Sequence, residues 1–598
     1  MTAKQGSVAR WIADFAQALR TPEQSAWDRL FMPECYWRDF LAFTWNIVTL
    51  EGVTAIAAMV EEQAPAIAAT ALAPDDPALP MTDETQGWFT FETATARCRG
   101  HVQLEDGRAR VLLTAMIELV GHEEQAGPRR PVGVAHHAAK GRRTWLDQRQ
   151  EEARTLGYAE QPYCLIVGGG QNGLMLAARL KRLSVPTLVI DASERPGDVW
   201  RKRYKSLYLH DPIYLDHFPY LPFPDHWPLY TSKDKMADWL EAYARVMELN
   251  IWHETLCAGA RYDATAGVWE VTVERSGETR TLRPKHLVLA TGLSGAKHVP
   301  AIPGADSFAG QQYHSSDHAG GKAMEGKNCV VIGASNSAHD ICVDLWENDA
   351  HVTMIQRSPT IVVRAETMRT FSDALPYAQP GIATEFADLM MATTPFRMRY
   401  ATERDMTDAL RQIDADFYAR LERSGFLLSH GVDGTGFLMA YHRRASGYYI
   451  DVGASDLIAR GEIAICHGEI AAIERDGIRM EDGSFLPADL IVYATGYRPM
   501  QEWVSELISA DVARAIGPCW GLGSGTKGDP GPWEGELRNM WKPTAQEALW
   551  FQGGNLMQAR FHSLHLALQI KARCERLATP IHRPAPSSMA KRNEGALT

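Results

Sequence analysis

The sequence predicts an α/β fold, and three observations carry that expectation. Two apolar runs, Tyr163–Val167 and Asn328–Ile332, each lead into a glycine-rich turn, then a helical stripe, then a second strand. Residues 1–122 instead show helices followed by strands, which marks a separate α+β unit. A length of 598 residues leaves room for three or four domains.

Composition narrows the function classes. Lys and Arg total 61 against 73 Asp and Glu, a formal charge of -12 that argues against nucleic acid and a polybasic membrane anchor. With 48 Gly and 32 Pro, the collagenous and low-complexity classes fail. The 9 cysteines are scattered without a C-x-x-C, which disfavours a disulfide scaffold, a zinc ribbon and a redox dithiol. No run of 18 apolar residues occurs, and neither Met1–Gly6 nor Glu594–Thr598 resembles a targeting signal, so a cytoplasmic protein without a membrane anchor is expected.

In the first unit Val8, Trp11, Ile12, Phe15 and Leu19 follow helical spacing, and 53–66 reads as a second helix. Residues 88–95, 97–104 and 108–119 read as strands, the last two joined by a hairpin signal, Asp106-Gly107. Helices first and a curved antiparallel sheet after resembles the cone-shaped fold of the nuclear-transport-factor-two and ketosteroid-isomerase-like proteins. Tyr36, Asp39 and Trp45 are expected as core aromatics and a satisfied strand-edge acid rather than as a pocket. Residues 123–160 read as a linker, with a short helix from Trp145.

The first glycine turn is Gly168-Gly-Gly170-Gln171-Asn172-Gly173, with Asp191 ending the next strand, 191 − 173 = 18 positions later. Gly168 makes the tight turn, Gly170 lets backbone approach a pyrophosphate, and Gly173 lets the helix pack on the strand. The helix N-terminus supplies N–H groups to phosphates, and Asp191 suits ribose hydroxyls. In the second turn, Gly333-Ala-Ser335-Asn336-Ser337-Ala338, Ser335 and Ala338 replace two glycines, and the following strand ends in Gln356-Arg357. An arginine there favours NADPH over NADH, because it can pair with a 2′-phosphate. Two such Rossmann-like units imply electron transfer between two nucleotides.

Between them, Phe308-Ala-Gly310-Gln-Gln-Tyr-His314-Ser-Ser-Asp-His318 resembles the fingerprint of flavin-containing monooxygenases, except that His318 stands where that family has an aromatic residue. Leu289-Ala-Thr-Gly292, Tyr493-Ala-Thr495-Gly496-Tyr497, Gly197-Asp-Val199-Trp200 and Arg203–Pro212 extend the resemblance over residues 163–573. It implies FAD and NADPH as cofactors, dioxygen as co-substrate and a peroxide at flavin carbon 4a. That species would oxidise a small organic substrate, at nitrogen or sulfur in the preferred reading. Oxygenation of a carbonyl, by a Baeyer–Villiger route or on a 2-oxo acid as in auxin-forming relatives, is the alternative; an NADPH oxidase releasing hydrogen peroxide is another.

The resemblance places His210 beside the flavin and His314 near the nicotinamide as candidate catalytic residues. It adds Val199, Trp200, Thr495 and Gly496 to the cofactor-binding set, with no metal implied. It also implies that the helix after Asn555 points its N-terminus at the flavin. The expected domains are a cone at 1–122, a linker at 123–160, and FAD-binding segments at 161–318 and 489–598. An NADPH domain occupies 319–488, with a helical insertion at 365–448 expected at the substrate entrance. The cone leaves room for a homodimer.

Overall fold

The computed structural model describes residues 6–134, 136–138 and 140–584. The outer ends of the first and last expected domains, 1–5 and 585–598, and linker residues 135 and 139 lie outside the described residues. Among the described residues no helix is long and apolar enough to cross a membrane.

Three helices, Ser7–Arg20, Gln24–Leu30 and Val53–Ile67, pack on a six-stranded sheet in the N-terminal unit. Its strand order is 47–51, 31–40, 108–119, 96–105, 86–92, 70–74. The Asp106-Gly107 hairpin forms with both residues at positive φ, 51° and 75°, as its turn type demands. The sheet is not the simple antiparallel one expected: Phe31–Phe40 runs parallel to Arg108–Leu119. Alternation is absent from Phe31–Phe40 because most of it is buried on both faces. The core is aromatic, with Phe15 against Trp11, Trp37 and Phe89. Asp39 is buried, and its carboxylate accepts from Thr44 Oγ1, Thr114 Oγ1 and the N–H groups of Phe43 and Thr44. It braces the turn after its strand, and Trp45 is core.

Two five-stranded parallel sheets follow. The first has the order 549–551, 286–289, 164–167, 187–190, 251–252. The second has the order 311–314, 490–493, 328–332, 351–356, 463–467. In each, the central strand leads into a glycine loop, and the chain order reverses there, which opens a crevice at the strand ends. The second sheet draws 311–314 and 490–493 from beyond the expected limits of 319 and 488.

The insertion comprises helices Ala365–Ser372, Thr384–Ala392, Phe396–Ile413, Ala415–Arg423 and Gly436–Arg444. Thr360–Arg364, Leu428–Ser429 and Tyr448–Asp451 add a small parallel sheet at its base. The N-terminal unit is joined to this insertion and to the C-terminal segment. Arg38 makes a two-pronged ion pair with Glu536, at 2.6 and 2.8 Å, and donates to Ala392 O. Phe40 packs on Phe561 of the helix Leu556–Cys574.

Candidate cofactor and active site

The first loop shows why its glycines stand where they do. Gly168 has φ +114°, and an added Cβ would lie 2.4 Å from Ala290 O. A Cβ on Gly173, in the first turn of the helix Gln171–Arg182, would lie 1.9 Å from Gly168 O. Gly170 is different: its Cβ would meet only Val199 Cγ1, at an ordinary 3.7 Å. Protein packing does not require glycine there, so the bare backbone is free for a close ligand such as pyrophosphate.

Gln171 Oε1 accepts from Trp200 Nε1 at 3.2 Å, which holds the Val199–Trp200 turn over the loop. Asn172 donates to Gly554 O, while its buried Oδ1 has no partner. Asp191 accepts from the N–H of Gly169 and of Ser193, which fixes the carboxylate at the mouth of the loop. Asn555 caps the helix Leu556–Cys574 with a reciprocal Gln558 bond, beside Gly554, so the positive end of that helix faces the first loop.

The second loop repeats the first step. Gly333 has φ +127°, and its Cβ would lie 2.3 Å from Ala494 O. The two Ala-Thr-Gly segments are thus equivalent back walls, one for each loop. Thr495 and Gly496 consequently follow the strand Leu490–Tyr493 of the second sheet, although they were expected within the second FAD segment. Ser335 precedes the helix Asn336–Trp346, Ser337 lies in its first turn, and Ala338 is buried where the first loop has Gly173. Asn336 Oδ1 accepts from Ile450 N–H, so this side-chain oxygen fastens the insertion's base sheet. Arg357 follows the next strand with its side chain 72% exposed and 3.9 Å from Glu469.

The paired crossovers, Lys297 opposite Tyr497, join the two sheets. Thr495 Oγ1 donates to His298 O. His314 is 2% exposed. Its Nδ1 accepts from Ser316 N–H and its Nε2 donates to Gly496 O, at 2.9 Å. Burial lowers its pKa, and both nitrogens are engaged, so the ring ties the linker to the second back wall and offers no nitrogen to a substrate. His318 turns inward, with Nε2 2.6 Å from Asp344 and Nδ1 3.1 Å from Tyr313 Oη, while Asp317 pairs with Lys297.

His210 lies at the contact between the two units. Its Nε2 is 3.8 Å from Asp340 on the second-loop helix, and Tyr204 Oη donates to the same carboxylate at 2.7 Å. Burial opposes charging of His210, and Asp340 outweighs it, so the pKa is raised. Asp340 and Asp344 were missed from sequence; their signal was two acids four residues apart on an otherwise apolar helical stripe. Tyr441 of the insertion was missed too. Its hydroxyl accepts from Asn555 N–H and donates to Gln558, at the N-terminal end of the C-terminal helix. His562 stacks on Trp541 at 3.9 Å, and burial drives His565 down to about 3, so both act as apolar packing.

A family model described as flavin-binding monooxygenase-like matches residues 191–420. Indole-3-pyruvate monooxygenase YUCCA1 of Oryza sativa subsp. japonica is 30% identical over 349 residues, 58% of this chain and 79% of the relative. The chain belongs to the flavin-binding monooxygenase-like family. Probable indole-3-pyruvate monooxygenase YUCCA7 of Arabidopsis thaliana is 31% identical over 350 residues, 57% of this chain and 76% of that one. A cyclohexanone monooxygenase from Rhodococcus sp. Phi1 bound to NADP+ shares the fold, with TM-score 0.51, 18% identity and coverage of 69% of this chain and 85% of that one. As a member of that family the chain is a flavin-dependent monooxygenase, for which the sequence predicts FAD and NADPH. The open backbone at Gly170, the orphaned Asn172 Oδ1 and the exposed Arg357 fit those groups.

Proposed function

We propose that this flavin monooxygenase inserts one oxygen atom from dioxygen into a small organic substrate at a nucleophilic nitrogen or sulfur. The observation that carries the reading is the contact of His210 with Asp340: it brings a flavin-side segment and the second-loop helix to one crevice. When bound, FAD and NADPH supply the redox and oxygen chemistry. The protein's part is to bind, orient and exclude water. Gly168, Gly170, Asn172, Gly173 and Asp191 would hold FAD; Gly333, Ser335, Ser337 and Arg357 would hold NADPH. His210, whose pKa Asp340 raises, would donate a hydrogen bond beside the flavin, and His314 positions the linker. We keep the domain limits 1–122, 123–160, 161–318, 319–488 and 489–598, with strands 311–314 and 490–493 assigned to the second sheet. Residues 1–122 act as a nuclear-transport-factor-two-like cover, and the insertion, through Tyr441, forms the substrate wall.

Oxygenation of a 2-oxo acid is the second reading, favoured by the names of the two plant relatives. The test is turnover with NADPH, labelled dioxygen and either a thioether or indole-3-pyruvate. A sulfoxide carrying one labelled oxygen supports the first reading. Decarboxylation of the 2-oxo acid without sulfoxide formation supports the second, and stoichiometric hydrogen peroxide with neither product overturns both.

A further inference from the structure

Two carboxylates on the loop that follows His210, Asp211 and Asp216, have no role in the cofactor sites. Asp216 is 2% exposed, and its Oδ2 is buried without a hydrogen-bond partner. Asp211, half-buried on the same loop, acts electrostatically on Asp216 and on the hydroxyls of Tyr230, Tyr441 and Tyr448. Tyr441 also touches Asn555, so Asp211 lies near the insertion and the N-terminal end of the C-terminal helix. The neighbouring cation is Arg560, and its donors are already engaged. It grips Asp388 at 2.9 and 2.7 Å and donates to the carbonyls of Leu215 and His217, which flank Asp216. Asp388 and Asp216 thus share one guanidinium, and the cation that faces Asp211 is His210. His217 adds no compensation, because burial and Arg560 lower its pKa.

Burying a carboxylate without a partner is unfavourable, and a chain keeps one where something else supplies the partner. Both acids are held above the usual carboxylate range, by burial and, for Asp216, by the charge of Asp211. Among the described residues no group of three or more metal-ligating side chains assembles.

We propose that Asp211 and Asp216 anchor a positively charged amine of the substrate, so that the preferred substrates are small amines or thioethers carrying an ammonium group. The inference rests on the heteroatom reading above and narrows it. An ammonium group offers three donors, and its charge draws both carboxyls into the ionised, acceptor-only form, so the bonds form at charge-assisted strength. An anionic 2-oxo acid would meet repulsion at the same place.

Two probes of equal shape test this: 2-(methylthio)ethylamine, charged, and methyl propyl sulfide, neutral. With the holoenzyme, kcat/KM should favour the charged thioether by about tenfold or more, and Asp216→Asn or Asp211→Asn should reduce that ratio by about tenfold. Equal kcat/KM for the two sulfides in the wild type, with both sulfoxides formed, overturns the anchor and leaves the oxygenase reading intact. If neither sulfoxide forms, yet flavin-absorbance titration of the oxidised enzyme still shows the charged probe preferred and the preference lost in both variants, the anchor stands and the heteroatom reading falls.

A second readout needs no turnover. A raised carboxylate pKa means stability lost as pH rises above the unfolded value of about 4. Substrate-free Asp216→Asn should therefore melt higher than wild type at pH 8, with the gap closing toward pH 4. A lower melting temperature for Asp216→Asn at pH 8 would show that Asp216 already has a stabilising partner in the protein, and would overturn the proposal.

Discussion

The two glycine loops start from the same contact and end in different chemistry. Both first glycines turn against the carbonyl of an Ala-Thr-Gly alanine, Gly168 on Ala290 and Gly333 on Ala494. Beyond that the first loop is tighter. Its third glycine lets helix and loop approach so closely that a methyl group would sit 1.9 Å from a backbone oxygen, and an acid holds the loop's N–H. The second loop carries a methyl group at that position, Ala338, and ends in an exposed arginine. Close packing suits a cofactor that stays, and a looser turn with a charged hook suits one that comes and goes.

Gly173→Ala should break the comparison most severely. The clash is with backbone, so relief needs movement of the whole turn, at a cost above about 3 kcal/mol. Flavin absorbance per protein should fall below a tenth of wild type. Gly333→Ala strains the other loop; it should keep bound flavin but slow anaerobic reduction by NADPH at least tenfold in stopped flow.

Arg357→Ala comes next. Loss of charge-assisted bonds to a 2′-phosphate should reduce the NADPH-over-NADH preference in kcat/KM by about tenfold to a hundredfold. Equal losses for the two nucleotides would show that Arg357 does not read the phosphate.

Asp340→Asn probes the place where the two units meet. Asp340 raises the His210 pKa, so the variant should shift the His210-dependent limb of the pH–rate profile to lower pH. A histidine with a raised folded pKa stabilises most below its unfolded value of about 6.5, and that support fades as pH rises. The melting-temperature deficit of Asp340→Asn should therefore shrink from pH 6 to pH 9. Ala338→Gly should do least, costing about 1 kcal/mol of helix stability and leaving flavin content unaltered.

What sequence revealed was local. Both loops, both back walls and the Asp106-Gly107 hairpin are written in consecutive residues, where steric rules act directly. What it concealed was long-range pairing. Tyr204 reaches Asp340 across 136 positions, and Arg38 reaches Glu536 across 498. A half-buried acid such as Asp211 has the same letter as a solvated one. The strand Phe31–Phe40 lacks alternation because its neighbours cover both faces, and those neighbours lie far along the chain. His314 matched a fingerprint, yet its two ring partners, Ser316 and Gly496, were invisible until the fold brought the second one near.

The seam at Arg38 decides how the molecule comes apart. Glu536 is shared by Arg38 and Thr49, and Trp533 bonds Glu51, so the N-terminal sheet meets the catalytic body through buried polar ties as well as aromatic surface. Deleting residues 1–122 would strand an acid in an apolar setting and bare the ring of Phe561. Calorimetry should then record one endotherm for the intact chain rather than two. A chimaera that exchanges the N-terminal sheet would have to bring its own matches for Ala392, Glu536 and Phe561, or it would aggregate.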